Sequence, residues 1–126
     1  MGGALSLAAG ALAKECVDCV ISFYGTPAAE LCDLETMTVP VQGHFGEDDG
    51  FVGFSDKTAV EKLKGQLSKA GGEFDVYSYE GVGHAFMNNR PDQRKKIEQL
   101  GFGDYKEDVA NLAWSRTKDF FAKHLS

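Results

Sequence analysis

Short apolar segments with the length of β-strands alternate along this chain with longer segments that have helical character. The predicted strands are 17–24 (VDCVISFY), 39–45 (VPVQGHF) and 73–79 (EFDVYSY), and the predicted helices are 4–13, 55–70 and 105–124. Such alternation is typical of α/β proteins, in which helices cover both faces of a parallel sheet. We therefore predict an α/β fold with a parallel sheet of about three strands and helices on both faces. Residues 88–103 are polar and predict no clear element.

The composition limits the classes of partner. The 126 residues are 43% hydrophobic and 25% charged, which suits one globular domain, and their net charge is -6. An acidic chain without a basic segment is not expected to bind nucleic acid or an anionic membrane. The apolar segment 1–13 has no basic residues before it and is too short to span a bilayer, so we expect a helix buried on most sides.

The three cysteines predict free thiols. Cys16 and Cys19 form a single C-x-x-C, and Cys32 has no nearby counterpart. A redox or zinc site would need a second pair or a helix start after the first cysteine. We therefore interpret both paired cysteines as packing residues next to an apolar strand, in a reducing compartment such as the cytoplasm.

Two polar loops follow predicted strands. One is 46–50 (GEDDG) with Asp49, and the other is 81–84 (GVGH) with His84. The carboxyl ends of parallel strands meet at one edge of a sheet, where ligands bind. An imidazole can accept a proton at neutral pH, and a carboxylate can orient it. The alternative is an acidic surface turn and a capping histidine. His44 is interpreted as a packed or edge residue, and His124 as a cation at a helix C-terminus.

Several motifs resemble the dienelactone hydrolase family of α/β-hydrolases. Segment 40–52 (PVQGHFGEDDGFV) is similar to the family's strand and acid loop, and 79–86 (YEGVGHAF) to its histidine loop. Segments 23–25 and 113–125 resemble the end of the strand after the nucleophile helix and the closing helix. The resemblance implies that residues 1–126 form one incomplete domain, a partial α/β-hydrolase fold. It also implies that Asp49 is the acid and His84 the base of a catalytic triad.

The first residues resemble the segment that directly follows the family's nucleophilic cysteine. Met1-Gly2-Gly3 is similar to x-G-G of the motif G-x-C-x-G-G, which places Met1 at an oxyanion position and leaves the nucleophile and the oxyanion loop outside the chain. Ser6 and the three cysteines are not expected to replace that nucleophile. Asn88 stands where the family has a substrate-binding Arg, and Arg90 is close by. Both are candidate substrate-binding residues.

Two functions remain open. The first is a hydrolase of carboxylic esters or lactones, without cofactor or metal, in which the chain alone is inactive and corresponds to a C-terminal half. The second is a non-catalytic family relic that acts as a structural or interaction subunit. Either function predicts a partner chain, a second copy or a further segment that covers the strand edge at 17–24, because an unpaired apolar edge promotes aggregation.

Overall fold

A computed structural model describes all residues from Met1 to Ser126. It contains three strands and four helices: α1 (Gly2–Leu12), β1 (Val20–Phe23), β2 (Val41–Gly46), α2 (Lys57–Ala70), β3 (Phe74–Tyr79), α3 (Pro91–Gln99) and α4 (Glu107–His124). Two short 3-10 turns, Lys14–Cys16 and Leu34–Thr36, lie in the connections before β1 and β2.

The three strands form one parallel sheet in the order β1-β2-β3. In the register of this sheet Phe23 lies opposite His44, and Gly46 lies opposite Tyr79. The C-terminal ends of all three strands therefore reach the same edge, as predicted. β2 is the central strand, and its six residues are all buried.

The main hydrophobic core lies on one face of the sheet, under α1 and α2. It consists of apolar side chains from both helices, from β1 and β2 and from the connection before β2: Leu7, Ala8, Ala11, Val20, Cys32, Leu34, Met37, Val39, Val41, Phe45, Val60, Leu63 and Leu67. A Cβ added at Gly3 would overlap the carbonyl oxygen of Phe23, and one at Gly10 would overlap the side chain of Val20. These two glycines therefore let α1 approach β1 closely along its length.

The opposite face of the sheet is covered by α4. This helix turns small and polar residues inwards, and Ala110, Ala113, Thr117 and Phe120 are buried. Ala113 joins a second apolar cluster with Tyr79, Val82 and Phe86. The sheet is therefore covered by helices on both faces, as predicted.

Local signals explain both ends of α2. The Asp56 carboxylate accepts a hydrogen bond from the backbone N–H of Ala59, which satisfies a free donor at the helix start. Gly71 ends the helix at a φ of 76°, a left-handed conformation that favours glycine.

Several sequence-based boundaries differ from the structure by one to three residues, and one predicted loop contains a helix. β1 begins at Val20 because Lys14–Cys16 forms a 3-10 turn, and Cys16 is exposed, so its interpretation as a packing residue is wrong. α4 begins at Glu107, after Lys106, rather than at residue 105. The polar segment that predicted no element contains α3.

Helix α1 is buried on one side only. Leu7 is fully buried, whereas Leu5 and Leu12 are exposed, so the expected burial on most sides is not provided by the 126 residues. No helix of the chain combines the length and the apolar character that crossing a membrane requires.

Candidate active site

Asp49 lies in the turn directly after β2, and its side chain is buried. Its Oδ1 accepts a hydrogen bond of 2.9 Å from the backbone N–H of Phe51, which fixes the carboxylate within its own loop. Its Oδ2 lies 2.8 Å from Nδ1 of His84. The neighbouring Asp48 is exposed. Asp49, and not Asp48, is therefore the carboxylate that contacts the His84 ring. Its role as the acid of a catalytic triad stays a prediction.

His84 lies in the loop after β3, which is built around two unusual backbone positions. A Cβ added at Gly83 would overlap the carbonyl oxygen of Phe102, so the loop needs glycine there. Ala85 has a φ of 59°, in the left-handed region that residues with a Cβ adopt at a cost of order 1 kcal/mol. Backbone strain of this kind persists only where the surrounding structure holds it, and it is common at functional sites.

The contacts of the His84 ring define its proton positions. Because an ionised carboxylate only accepts, Nδ1 must carry the proton that it donates to Asp49. In the neutral ring Nε2 then has a free lone pair, and it makes no hydrogen bond within the chain. The side chain is 18% exposed. This arrangement leaves Nε2 able to accept a proton from another group.

Three aromatic rings surround the imidazole. Phe51 is stacked on it with a centroid distance of 5.3 Å, and Tyr24 and Phe102 are tilted against it at 5.3 and 5.2 Å. Tyr24 follows β1 at a φ of 41°. Burial raises the pKa of Tyr24 to about 12, so its phenol stays neutral in the physiological range. The imidazole therefore has a fixed orientation and largely apolar surroundings.

A cavity of about 330 Å³ lies between His84 and the N-terminal end of α1. Its wall is formed by residues of α1, β1 and the histidine loop: Met1, Gly2, Gly3, Ser6, Ile21, Phe23, Tyr24 and His84. The first turn of α1 therefore shares a cavity with the imidazole. Met1, the predicted oxyanion position, is 87% exposed. A second cavity of about 310 Å³ lies beside α2, and neither Asp49 nor His84 lines it.

The other candidate residues lie outside this arrangement. Asn88 accepts a hydrogen bond from the backbone N–H of Arg90. Arg90 is exposed, and its guanidinium lies 3.2 Å from the Asp92 carboxylate. Neither Asn88 nor Arg90 lines the cavity, and their substrate-binding role stays a prediction. The Ser6 hydroxyl lines the cavity but donates to the carbonyl of Gly2.

No cysteine lines the cavity, and no cluster of metal-binding side chains lies there. Burial raises the pKa values of the Cys19 and Cys32 thiols. The chain contains no group of three His, Cys, Asp or Glu side chains that could hold a metal ion.

His44 is a packed residue, as interpreted from its place in a strand. Its Nδ1 lies 2.8 Å from the hydroxyl of Tyr79, and its Nε2 lies 2.9 Å from Oε1 of Gln42. Its ring is fully buried and stacks on Phe23. Burial, aided by the charge of Arg116, lowers the pKa of His44 to about 4.

One contact of the His84 ring carries no sequence signal. Ser55 is fully buried, and its Oγ lies 3.1 Å from Nδ1 of His84. A serine next to a helix cap is common, so only the fold shows that this hydroxyl reaches the imidazole. The sequence also did not indicate Phe51 and Phe102 as neighbours of His84, because only the fold brings these rings together.

An acid after one parallel strand and a histidine after the next, joined at the C-terminal edge, define part of an α/β-hydrolase fold. The comparison with known families is consistent with that class. The model of the dienelactone hydrolase family matches residues 1–125, so the chain belongs to the dienelactone hydrolase family.

Similar proteins include two from Aquifex. Protein usf of Aquifex pyrophilus is 30% identical over 125 residues, and a provisionally named carboxymethylenebutenolidase of Aquifex aeolicus is 30% identical over 124 residues. The alignments cover 99% and 98% of this chain but only 48% of each relative. A crystal structure of a provisionally named dienelactone hydrolase from Klebsiella pneumoniae superposes with a TM-score of 0.73 at 21% identity, over 95% of this chain and 48% of that one. The chain therefore spans about half the length of these proteins.

Proposed function

We propose that Asp49 and His84 are the acid and the general base of a site that hydrolyses carboxylic esters or lactones. Membership of the dienelactone hydrolase family supports a hydrolase-type function. The observation that carries the finer proposal is the 2.8 Å hydrogen bond between Asp49 and Nδ1 of His84, with Nε2 left free beside a cavity.

The proposed reaction has two half-reactions. In the first, Nε2 of His84 takes the proton of a hydroxyl or thiol nucleophile, which attacks the carbonyl carbon, and Asp49 stabilises the imidazolium. The imidazolium then protonates the alkoxide that leaves, and an acyl-enzyme remains. In the second, His84 takes a proton from water, the hydroxide attacks the acyl group, and the nucleophile recovers its proton as the acid is released.

We propose that the nucleophile belongs at the N-terminal end of α1. That end shares the cavity with His84, and a helix N-terminus stabilises the negative charge that develops on a substrate oxygen. The backbone N–H of Met1 is the proposed oxyanion donor. Two hydroxyl side chains line the cavity, but Ser6 is bound to its own helix and burial raises the pKa of Tyr24 to about 12, which disfavours its phenolate. The chain alone is therefore expected to be inactive.

The charge around the cavity favours an uncharged substrate. No Lys or Arg side chain lines it, and the Arg90 guanidinium is paired with Asp92. Without a cation, a substrate carboxylate would lose its hydration with no compensating partner. We therefore propose neutral esters or lactones, held by the apolar wall of Phe23 and Tyr24.

We further propose that β1 is covered by another segment or chain. β1 pairs only with β2, which leaves its other edge unpaired, and Leu5 and Leu12 of the adjacent α1 are exposed. This feature also suits the alternative function, a non-catalytic subunit of a larger assembly.

Three cysteines without a disulfide support a cytoplasmic location.

The test is a chimera. The N-terminal half of the Aquifex pyrophilus relative is fused to this chain at the position that matches Met1, and hydrolysis of p-nitrophenyl acetate is measured for the chimera and for the chain alone. We expect turnover by the chimera, whereas the chain alone does not exceed free imidazole. His84→Gln and Asp49→Asn should each reduce kcat by about 10³-fold or more.

His124→Gln is the matched control, because His124 lies at the end of α4 and does not line the cavity. It should leave kcat unchanged. A folded chimera that fails to hydrolyse the ester, or one in which His84→Gln and His124→Gln are equivalent, would favour the non-catalytic alternative.

A further inference from the structure

Two oxygen acceptors from the loop between β2 and α2 converge on one nitrogen of His84. Asp49 Oδ2 lies 2.8 Å from Nδ1, and Ser55 Oγ lies 3.1 Å from the same atom. Asp49 is held at the end of β2. Ser55 directly precedes Asp56, the N-cap of α2. The imidazole edge therefore contacts both the turn that follows β2 and the turn that precedes α2.

The Ser55 hydroxyl has no other hydrogen-bond partner in the chain, and the residue is fully buried. Because Nδ1 carries the proton that Asp49 accepts, the Ser55 oxygen can only accept from that N–H as well, in a bifurcated hydrogen bond. The only hydrogen-bond partner of this buried hydroxyl is therefore Nδ1 of His84, which it can hold in place.

The backbone of the acid loop fixes the position of Ser55. Its N–H donates to the carbonyl of Phe51, and the N–H of Phe51 donates to Asp49. The same loop is attached to the segment that follows β1, because the Thr26 hydroxyl donates to the carbonyl of Phe54. Residues 49–55 therefore form one hydrogen-bonded loop that places both the Asp49 carboxylate and the Ser55 hydroxyl against His84.

We propose that Ser55 is a positioning residue for His84. Its oxygen keeps the proton on Nδ1 and fixes the ring plane, so that Nε2 presents its lone pair to the cavity. The proposal deepens the proposed hydrolytic function and rests on it for its catalytic consequence, but the contact itself can be measured without any activity.

The first experiment is ¹⁵N and ¹H NMR of the histidine rings in the chain alone. In the wild type we expect the Nδ1–H tautomer of His84 and a downfield proton that exchanges slowly with water. In Ser55→Ala that exchange should become about fivefold faster, the effect of one ordinary hydrogen bond. Ser55→Cys, with a weak sulfur acceptor, should lie between the two.

Thr117→Val is the matched control. Thr117 is also buried and places its hydroxyl 3.4 Å from a histidine nitrogen, but that nitrogen is Nε2 of His44. This variant should leave the His84 signals unchanged. Unchanged tautomer and exchange of His84 in Ser55→Ala would overturn the proposal, since a purely structural serine predicts that result.

The second experiment uses the chimera and ester hydrolysis. Ser55→Ala should lower kcat about fivefold with KM unchanged, because orientation of the base matters in the transition state and not in substrate binding. If the NMR signals respond to Ser55→Ala but the wild-type chimera does not hydrolyse esters, the positioning contact stands and the hydrolytic function fails. If the wild-type chimera hydrolyses esters but neither the NMR signals nor kcat respond to Ser55→Ala, the positioning role fails alone.

Discussion

Protonation of the buried His44 should make the stability of this protein depend on pH in a specific range. Burial, with a contribution from Arg116, lowers its pKa from 6.5 to about 4. Unfolded chains therefore take up a proton on this ring below pH 6.5, whereas the folded chain does so only near pH 4. Stability due to the neutral ring is complete above pH 6.5 and is lost as the pH falls to 4. The difference in pKa corresponds to about 3 kcal/mol.

The assay is urea denaturation followed by circular dichroism between pH 7.5 and 4, for the wild type and His44→Gln. Glutamine keeps a donor for Gln42 and an acceptor for Tyr79 but does not titrate. The difference in the free energy of unfolding between the wild type and this variant should fall by about 3 kcal/mol between pH 7.5 and pH 4. The carboxylates titrate in both proteins, so their contribution cancels in this difference. A constant difference from pH 7.5 to 4 would refute the reasoning.

Four further substitutions test the packing and the local helix signals. Gly83→Ala should lower the free energy of unfolding by about 1–3 kcal/mol in urea denaturation because its Cβ would overlap Phe102, whereas Gly65→Ala, on an open face of α2, should raise it by about 0.5–1 kcal/mol. Leu63→Ala removes a side chain that is 1% exposed and should cost about 2–5 kcal/mol in the same assay, and a loss below 1 kcal/mol would contradict the core assignment. Asp56→Ala removes the N-cap of α2 and should cost about 1 kcal/mol, measured as a shift of the denaturation midpoint with an unchanged m-value.

The positions of Asp49 and His84 were predictable from the sequence, because in a parallel sheet the loops after neighbouring strands lie at the same edge. Once β2 and β3 are recognised, Asp49 and His84 must meet at one edge, and they do. The helix boundaries of α2 were equally predictable, since Asp56 and Gly71 are strong local signals.

The missed features depend on tertiary packing. α3 is mostly polar and buries only Ile97, so its segment has almost no hydrophobic periodicity. In α4 the large apolar residues Leu112 and Trp114 are exposed, while Ala113 and Thr117 are buried. A helix that lies close to a sheet needs small residues on the face that it turns to the sheet, so side-chain size alone does not identify that face. The Ser55 contact spans 29 residues and depends on where α2 begins.

Two of the three glycines of α1 lie at its close contacts with β1. Gly3 lies against Phe23 and Gly10 against Val20, one near each end of the helix, so α1 cannot slide along β1 without a steric clash. Because β1 is in fixed register with β2, and β2 with β3, the position of the helix start is transmitted through the sheet to the loop of His84. Gly3 and Gly10 therefore help to set where the first turn of α1 lies relative to the imidazole across the cavity.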